Sequence, residues 1–169
     1  MVLIFQKYRR ISFVVVICLV VLWMAYIFSF SAAPAEASTN DSSRITEKIV
    51  RVYEKDYDTL SEDRQKTVFE TVQVKVRKSA HFILYFALGV LVCIACYLCS
   101  VKDKLKYVIG FLVCVLYGAS DEIHQYFTPG RAALVKDVFI DSGGAAAGMA
   151  VVLLVIWAVL RKNNTITKA

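Results

Sequence analysis

The chain lacks the motifs that announce many catalytic centres. There is no His-Glu-x-x-His or His-x-x-Glu-His run and no Gly-x-Ser-x-Gly elbow. Metalloprotease and hydrolase chemistry built on those signatures is excluded. A soluble domain is excluded as well: 58% of residues are hydrophobic and the mean hydropathy is +0.57. Long stretches have almost no charge. Ile11 to Phe30 carries none. The five cysteines (Cys18, Cys93, Cys96, Cys99, Cys114) all fall in apolar runs and imply no disulfide framework. Cys93-x-x-Cys96-x-x-Cys99 has the look of a metal motif. An uninterrupted apolar helix cannot wrap three thiolates around one ion, so small buried side chains are the favoured reading.

What is present is four apolar runs, three long enough to cross a bilayer and the third in order, Tyr107–Ser120, part of a helix expected from about Leu105 to about Gln125. They are Ile11–Phe30, Ala80–Cys99, Tyr107–Ser120 and Val138–Leu160. The expected fold is an all-α integral membrane protein with four transmembrane helices. An extracytoplasmic amphipathic segment is expected between helices 1 and 2. The expected division is an N-terminus over 1–10, helix 1 over 11–30, a linker with amphipathic helices over 31–78, a three-helix core over 79–160 and a tail over 161–169. Lys7, Arg9 and Arg10 before helix 1 resemble the start of a signal peptide, with Ala35-Glu36-Ala37 as a conceivable cleavage site. The apolar run is longer than a usual signal core, which favours an uncleaved anchor.

The net charge of +6 is explained by placement rather than by nucleic acid, which is not an expected partner. Lys7, Arg9 and Arg10, then Lys102, Lys104 and Lys106, then Arg161, Lys162 and Lys168 fall on one side of a four-span topology. By the positive-inside rule both termini are cytoplasmic. Ser31–Asn40 has the composition of a linker. Ser42–Leu60 and the stretch from Ser61 through Val76 each carry apolar residues near helical spacing. They predict two amphipathic helices, on the outer surface or packed over the bundle.

Charge returns at one depth. Lys78, His81, Asp121, Glu122, His124, Gln125, Arg131, Asp137 and Asp141 all lie near the outer ends of helices 2, 3 and 4. Lys78, His81 and Tyr85 share a helical face, as do Asp121, His124 and Gln125. Thr128-Pro129-Gly130 signals a turn. Gly144 and Gly148 continue the stripe of Asp137 and Asp141, and such small-residue faces let membrane helices approach closely. Ionisable residues at membrane depth mark sites or helix contacts. The structural alternative pairs Arg131 with Asp137 or Asp121, and Lys78 with Glu122. The functional one gives ligand binding to Lys78, His81, Gln125, Arg131, Asp137 and Asp141, and leaves Asp121, Glu122 and His124 as acid–base candidates. Arg131 suits a bidentate contact to phosphate or carboxylate. No metal and no cofactor are expected, and whether the chain is an enzyme stays open.

Several pieces together resemble the VanZ-like family of bacterial membrane proteins. They are Arg77-Lys78-x-x-His81-Phe82-x-x-Tyr85-x-x-Leu88-Gly89, Asp121-Glu122-x-x-Gln125, Pro129-Gly130-Arg131, and Asp137-x-x-x-Asp141 followed by Gly144 and Gly148. The resemblance covers about Lys75 to Leu160. It implies a multi-pass protein of the bacterial cell membrane. The family's namesake is associated with resistance to teicoplanin, a lipidated glycopeptide that acts outside the membrane on cell-wall precursors. Membrane lipids, a lipid-linked wall precursor or a glycopeptide are the partners this implies. Leu84 and Ala132 stand where relatives often have Glu and Ser, so chemistry resting on those side chains is altered here.

Overall fold

The computed structural model describes residues 2–32, 35–101, 103–128 and 134–166. Among them are five helices and no strand: α1 (Val2–Ser31), α2 (Ala35–Tyr53), α3 (Glu62–Leu98), α4 (Leu105–Tyr126) and α5 (Val135–Ile166). A short 3-10 turn, Tyr57–Thr59, joins α2 to α3. Stretches of α1, α3, α4 and α5 are long and apolar enough to cross a membrane: Gln6–Ser31, Glu62–Leu98, Leu105–Tyr126 and Val135–Lys162. Their outward faces stay apolar, with Val14, Leu22, Leu116, Leu154 and Trp157 all exposed. Those faces suit hydrocarbon, in which only internally hydrogen-bonded helices or closed barrels survive. The chain is a multi-pass, all-α membrane protein.

The helices α1, α3, α4 and α5 alternate in direction, and α3 touches each of the other four. It is one helix of 37 residues, about 55 Å at ~1.5 Å per residue, against a hydrocarbon core of about 30 Å. The sequence expectation of a separate amphipathic helix after Ser61 is therefore corrected. That helix and the span are continuous, because no glycine or proline interrupts Glu62 to Leu88. The stretch expected as a linker is helical from Ala35. Of the two places open to the amphipathic segment, α2 takes a packed one, against α3. It buries Thr46 and Val50 and leaves Val52 and Tyr53 exposed.

The core runs along α3 through Tyr85, Leu88 and Val92, and meets Val20 and Ile27 of α1, Cys114 of α4 and Ala145 of α5. Cys93, Cys96 and Cys99 are free thiols; Cys93 is buried, and Cys96 packs against this core. The closest backbone approach is between α3 and α5. A Cβ added at Gly144 would stand 2.4 Å from the Phe82 carbonyl oxygen, and one at Gly148 2.1 Å from that of Phe86. From the other side, a Cβ at Gly89 would stand 2.1 Å from the Ala145 carbonyl oxygen. Only glycine allows this contact.

Polar side chains pin the remaining helices. The Trp23 indole donates to the Leu84 carbonyl at 2.9 Å, and the Tyr117 hydroxyl donates to the Met24 carbonyl. At the opposite end Arg9 donates to the Leu98 and Cys99 carbonyls at 3.0 and 2.8 Å. Lys106 reaches the Cys99 and Val101 carbonyls there too. These cations satisfy carbonyls that the end of α3 leaves without helical partners.

Candidate functional site

The end of the bundle formed by Ser31 of α1, Lys78 to Tyr85 of α3, Asp121 to Gln125 of α4 and Asp137 to Asp141 of α5 carries the polar groups. Antiparallel packing brings them there. Helices α1 and α4 finish at this end, α5 begins at it, and α3 passes through it. Leu134 and Asp137 then fall opposite the last turns of α4.

Two layers can be distinguished. The first is a cavity of about 290 Å³ lined by Arg77, Lys78 and His81 of α3, Glu122 and Gln125 of α4, Leu134 just before α5, and Asp137 and Asp141 of α5. Val74 and Ile140 supply apolar walls. Lys78 forms an ion pair with Asp137, with both side chains about three-quarters buried. The expected Lys78–Glu122 pair is thus corrected. Asp137 sits in the first turn of α5, where a carboxylate also complements the helix dipole. Glu122 is instead taken up by the backbone, its Oε2 accepting from Leu134 N–H at 2.9 Å. That bond ties the entry of α5 to the last turn of α4.

The second layer lies deeper. Asp121 is 2% exposed. Its Oδ2 accepts from the Ser31 hydroxyl at 2.7 Å and from the Gln125 amide at 3.2 Å. Its Oδ1 is buried and has no hydrogen-bond partner among the described residues, and the same holds for both carboxylate oxygens of Asp141 and the Tyr85 hydroxyl. His81 Nδ1 stands 3.8 Å from Asp141 Oδ1, an electrostatic neighbour beyond hydrogen-bond length. One ligand atom each from His81, Asp121 and Asp141 lies within 4.8 Å of the other two.

The candidate residues of the sequence are therefore sorted by position. Lys78, His81, Glu122, Gln125, Asp137 and Asp141 face the cavity. Asp121 is behind it. His124 turns to α1, where its ring stacks on Phe28 at 4.3 Å between centroids. Its Nε2 is buried without a partner among the described residues. Arg131, with Pro129, Gly130 and Ala132, lies outside the described residues. Two contributors carried no sequence signal as site residues. Arg77 appears in the sequence as motif alone, and Ser31 as the first residue of a stretch with linker composition.

Comparison with known proteins shows the family of the chain. The VanZ/LLP1 family profile matches residues 15–157, which takes in all four spans except the ends of the outermost two. The chain belongs to the VanZ/LLP1 family. No curated protein and no solved structure matches it. The matched region of this VanZ/LLP1 protein contains both layers of the site, as well as the α3–α5 glycine contact that sets their spacing.

Proposed function

We propose that this VanZ/LLP1 protein acts at the outer face of the bacterial cell membrane, with both termini cytoplasmic. There it binds the polar head of an amphiphile: an anionic lipid, a lipid-linked wall precursor or a lipidated glycopeptide. The observation that carries this reading is the cavity between α3, α4 and α5. It carries charged side chains and sits in the wall of a bundle whose spans expose many large apolar side chains. A head group enters it while an acyl chain lies along the exposed apolar helix faces. Arg77 and Lys78 meet phosphate or carboxylate oxygens, and Gln125 and His81 add hydrogen bonds. Occupying or sequestering such a head group alters what a glycopeptide meets outside the membrane, and so contributes to teicoplanin resistance.

A second reading is an enzyme that modifies a lipid or lipid-linked precursor. Glu122 favours it: 5% exposed, held through one oxygen, and facing the same cavity. A positioned carboxylate of that kind suits acid–base work.

The deciding experiment is teicoplanin susceptibility in a susceptible Gram-positive host expressing wild type, Arg77→Gln or Arg131→Ala at equal membrane levels. The expected result is protection by the wild type that both variants lose. Absence of protection by the wild type would remove the resistance assignment. Protection kept by both variants would remove these cations from the role given to them.

A further inference from the structure

We infer that His81, Asp121 and Asp141 form a binding site for one first-row divalent cation, of the Zn²⁺ type, at the floor of the cavity. The three residues come from α3, α4 and α5, and their ligand atoms already lie within 4.8 Å of one another. A filled tetrahedral site, with bonds of about 2.0–2.1 Å, places ligand atoms roughly 3.3 Å apart. Small side-chain rotations close that gap.

Three observations point to a cation rather than to a bland buried cluster. First, Asp141 is 1% exposed, and neither of its oxygens has a hydrogen-bond partner among the described residues. Its one charge partner among the described residues is the His81 imidazole at 3.8 Å, so the buried carboxylate is poorly compensated. Second, Asp121 is held on one side only. Ser31 and Gln125 both donate to Oδ2, and Oδ1 is left bare. Hydrogen bonds that hold a carboxylate by one oxygen and leave the other for a metal are the usual outer shell of such ligands. Third, the fully buried Tyr85 hydroxyl is also without a partner among the described residues. Its ring and the Asp141 side chain both border Gly118, at 3.5 and 3.6 Å from where a Cβ would stand. One imidazole with two carboxylates is a donor set that favours a first-row transition ion over Mg²⁺ or Ca²⁺, which take oxygen ligands.

The cation also resolves a charge imbalance in the cavity. Its described lining offers Arg77 and Lys78 against the carboxylates of Glu122, Asp137 and Asp141. Among the described residues that lining carries one more negative than positive charge, and Lys78 is already paired with Asp137. With the ligand Asp121 counted too, the site carries two net negative charges, and a divalent cation neutralises them while putting its positive charge beside His81 and Asp141, which face the cavity. An open coordination position then accepts a phosphate or carboxylate oxygen. This last role rests on the reading given under Proposed function, whereas the metal site stands on the three ligands alone.

The test uses the full chain purified in detergent and loaded with Zn²⁺ alone, so no head-group ligand enters the result. Metal content after desalting is read by mass spectrometry, and binding by titration calorimetry. The expected result is one zinc per wild-type chain, lost in His81→Gln and in Asp141→Asn. The combined Cys93→Ala, Cys96→Ala, Cys99→Ala variant keeps it. Circular dichroism and elution volume report whether each variant is folded. No stoichiometric zinc in the wild type overturns the proposal, as does zinc retained by folded His81→Gln or Asp141→Asn. For a ligand variant that does not fold, X-ray absorption of the zinc-loaded wild type decides. A shell of nitrogen and oxygen near 2.0–2.1 Å supports the site, and sulfur near 2.3 Å overturns it.

Discussion

Replacing Gly148 by alanine pushes α3 and α5 apart. The new Cβ would stand 2.1 Å from the Phe86 carbonyl oxygen and 3.0 Å from the Val90 nitrogen. Both are backbone atoms in the middle of α3, so no rotamer change relieves the clash. Ordinary contact begins near 3.4 Å, so the helices must separate by about 1.3 Å, which forfeits dispersion along the whole seam. Overpacking of this kind costs about 1–3 kcal/mol, and a clash against rigid backbone belongs at the upper end. Gly143 is the internal control, since a Cβ there meets nothing nearer than a Phe82 ring carbon at 3.9 Å. Gly143→Ala gains helix propensity, up to about 1 kcal/mol, without a clash. Reversible unfolding in mixed micelles measures both. We expect Gly148→Ala to lose about 2–3 kcal/mol and Gly143→Ala to be neutral or more stable. Equal stability of the two variants would refute the claim that the seam is set by backbone contact.

Three further outcomes are expected. Ser31→Ala removes a buried hydroxyl–carboxylate bond but leaves the Gln125 donor in place, for a loss of about 1–2 kcal/mol. Ser29→Ala, whose hydroxyl only bonds back to the Ala25 carbonyl of its own helix, stays within about 0.5 kcal/mol, and equal losses in the two would count against the Asp121 contact. Lys78→Asp destabilises by about 1–3 kcal/mol, and adding Asp137→Lys recovers at least half of it in a double-mutant cycle. Zero coupling would show that the pair is incidental. Trp23→Phe loses the bond to the Leu84 carbonyl and about 1 kcal/mol, read as a lowered thermal midpoint in detergent; an unchanged midpoint would remove that bond from the account of how α1 is held.

Much of the fold was legible because membrane spans are a composition signal. Ile11 to Phe30 is apolar enough to span without a charge, and α4 and α5 begin within three residues of Tyr107 and Val138, where the apolar runs start. The depth of the polar cluster was legible for a related reason: once the spans alternate, the rise per residue places Lys78, Asp121 and Asp137 at one end. The partners were not legible. Sequence spacing says that Asp121 and Gln125 share a face of α4, and they do hydrogen-bond. It does not say which neighbouring helix that face meets. That rotation decides that Asp121 finds Ser31 and that Glu122 finds Leu134 instead of Lys78. His124, from the same side of α4, goes to Phe28. Ser31 was invisible for a plain reason: beside Ala32, Ala33 and Pro34 it has the composition of a linker.

The glycine seam and the polar site are one device. His81 and Asp141 are opposed across the same α3–α5 interface that Gly144 and Gly148 bring to backbone contact, and the first of those glycines lies one turn from Asp141. Because Phe82 O is the atom facing Gly144, and Phe82 is the next residue after His81, the position of His81 relative to Asp141 is set by a contact with no side chain to adjust. Their 3.8 Å separation therefore depends on glycine being retained at that position. A shift of about 1 Å there adds to the closure the ligand side chains must already supply, while metal and hydrogen-bond geometry tolerate only a few tenths of an ångström. Gly144→Ala should then disable whatever the site does even where the protein still reaches the membrane. A Gly144→Ala chain of normal abundance and full site function would separate the seam from the site.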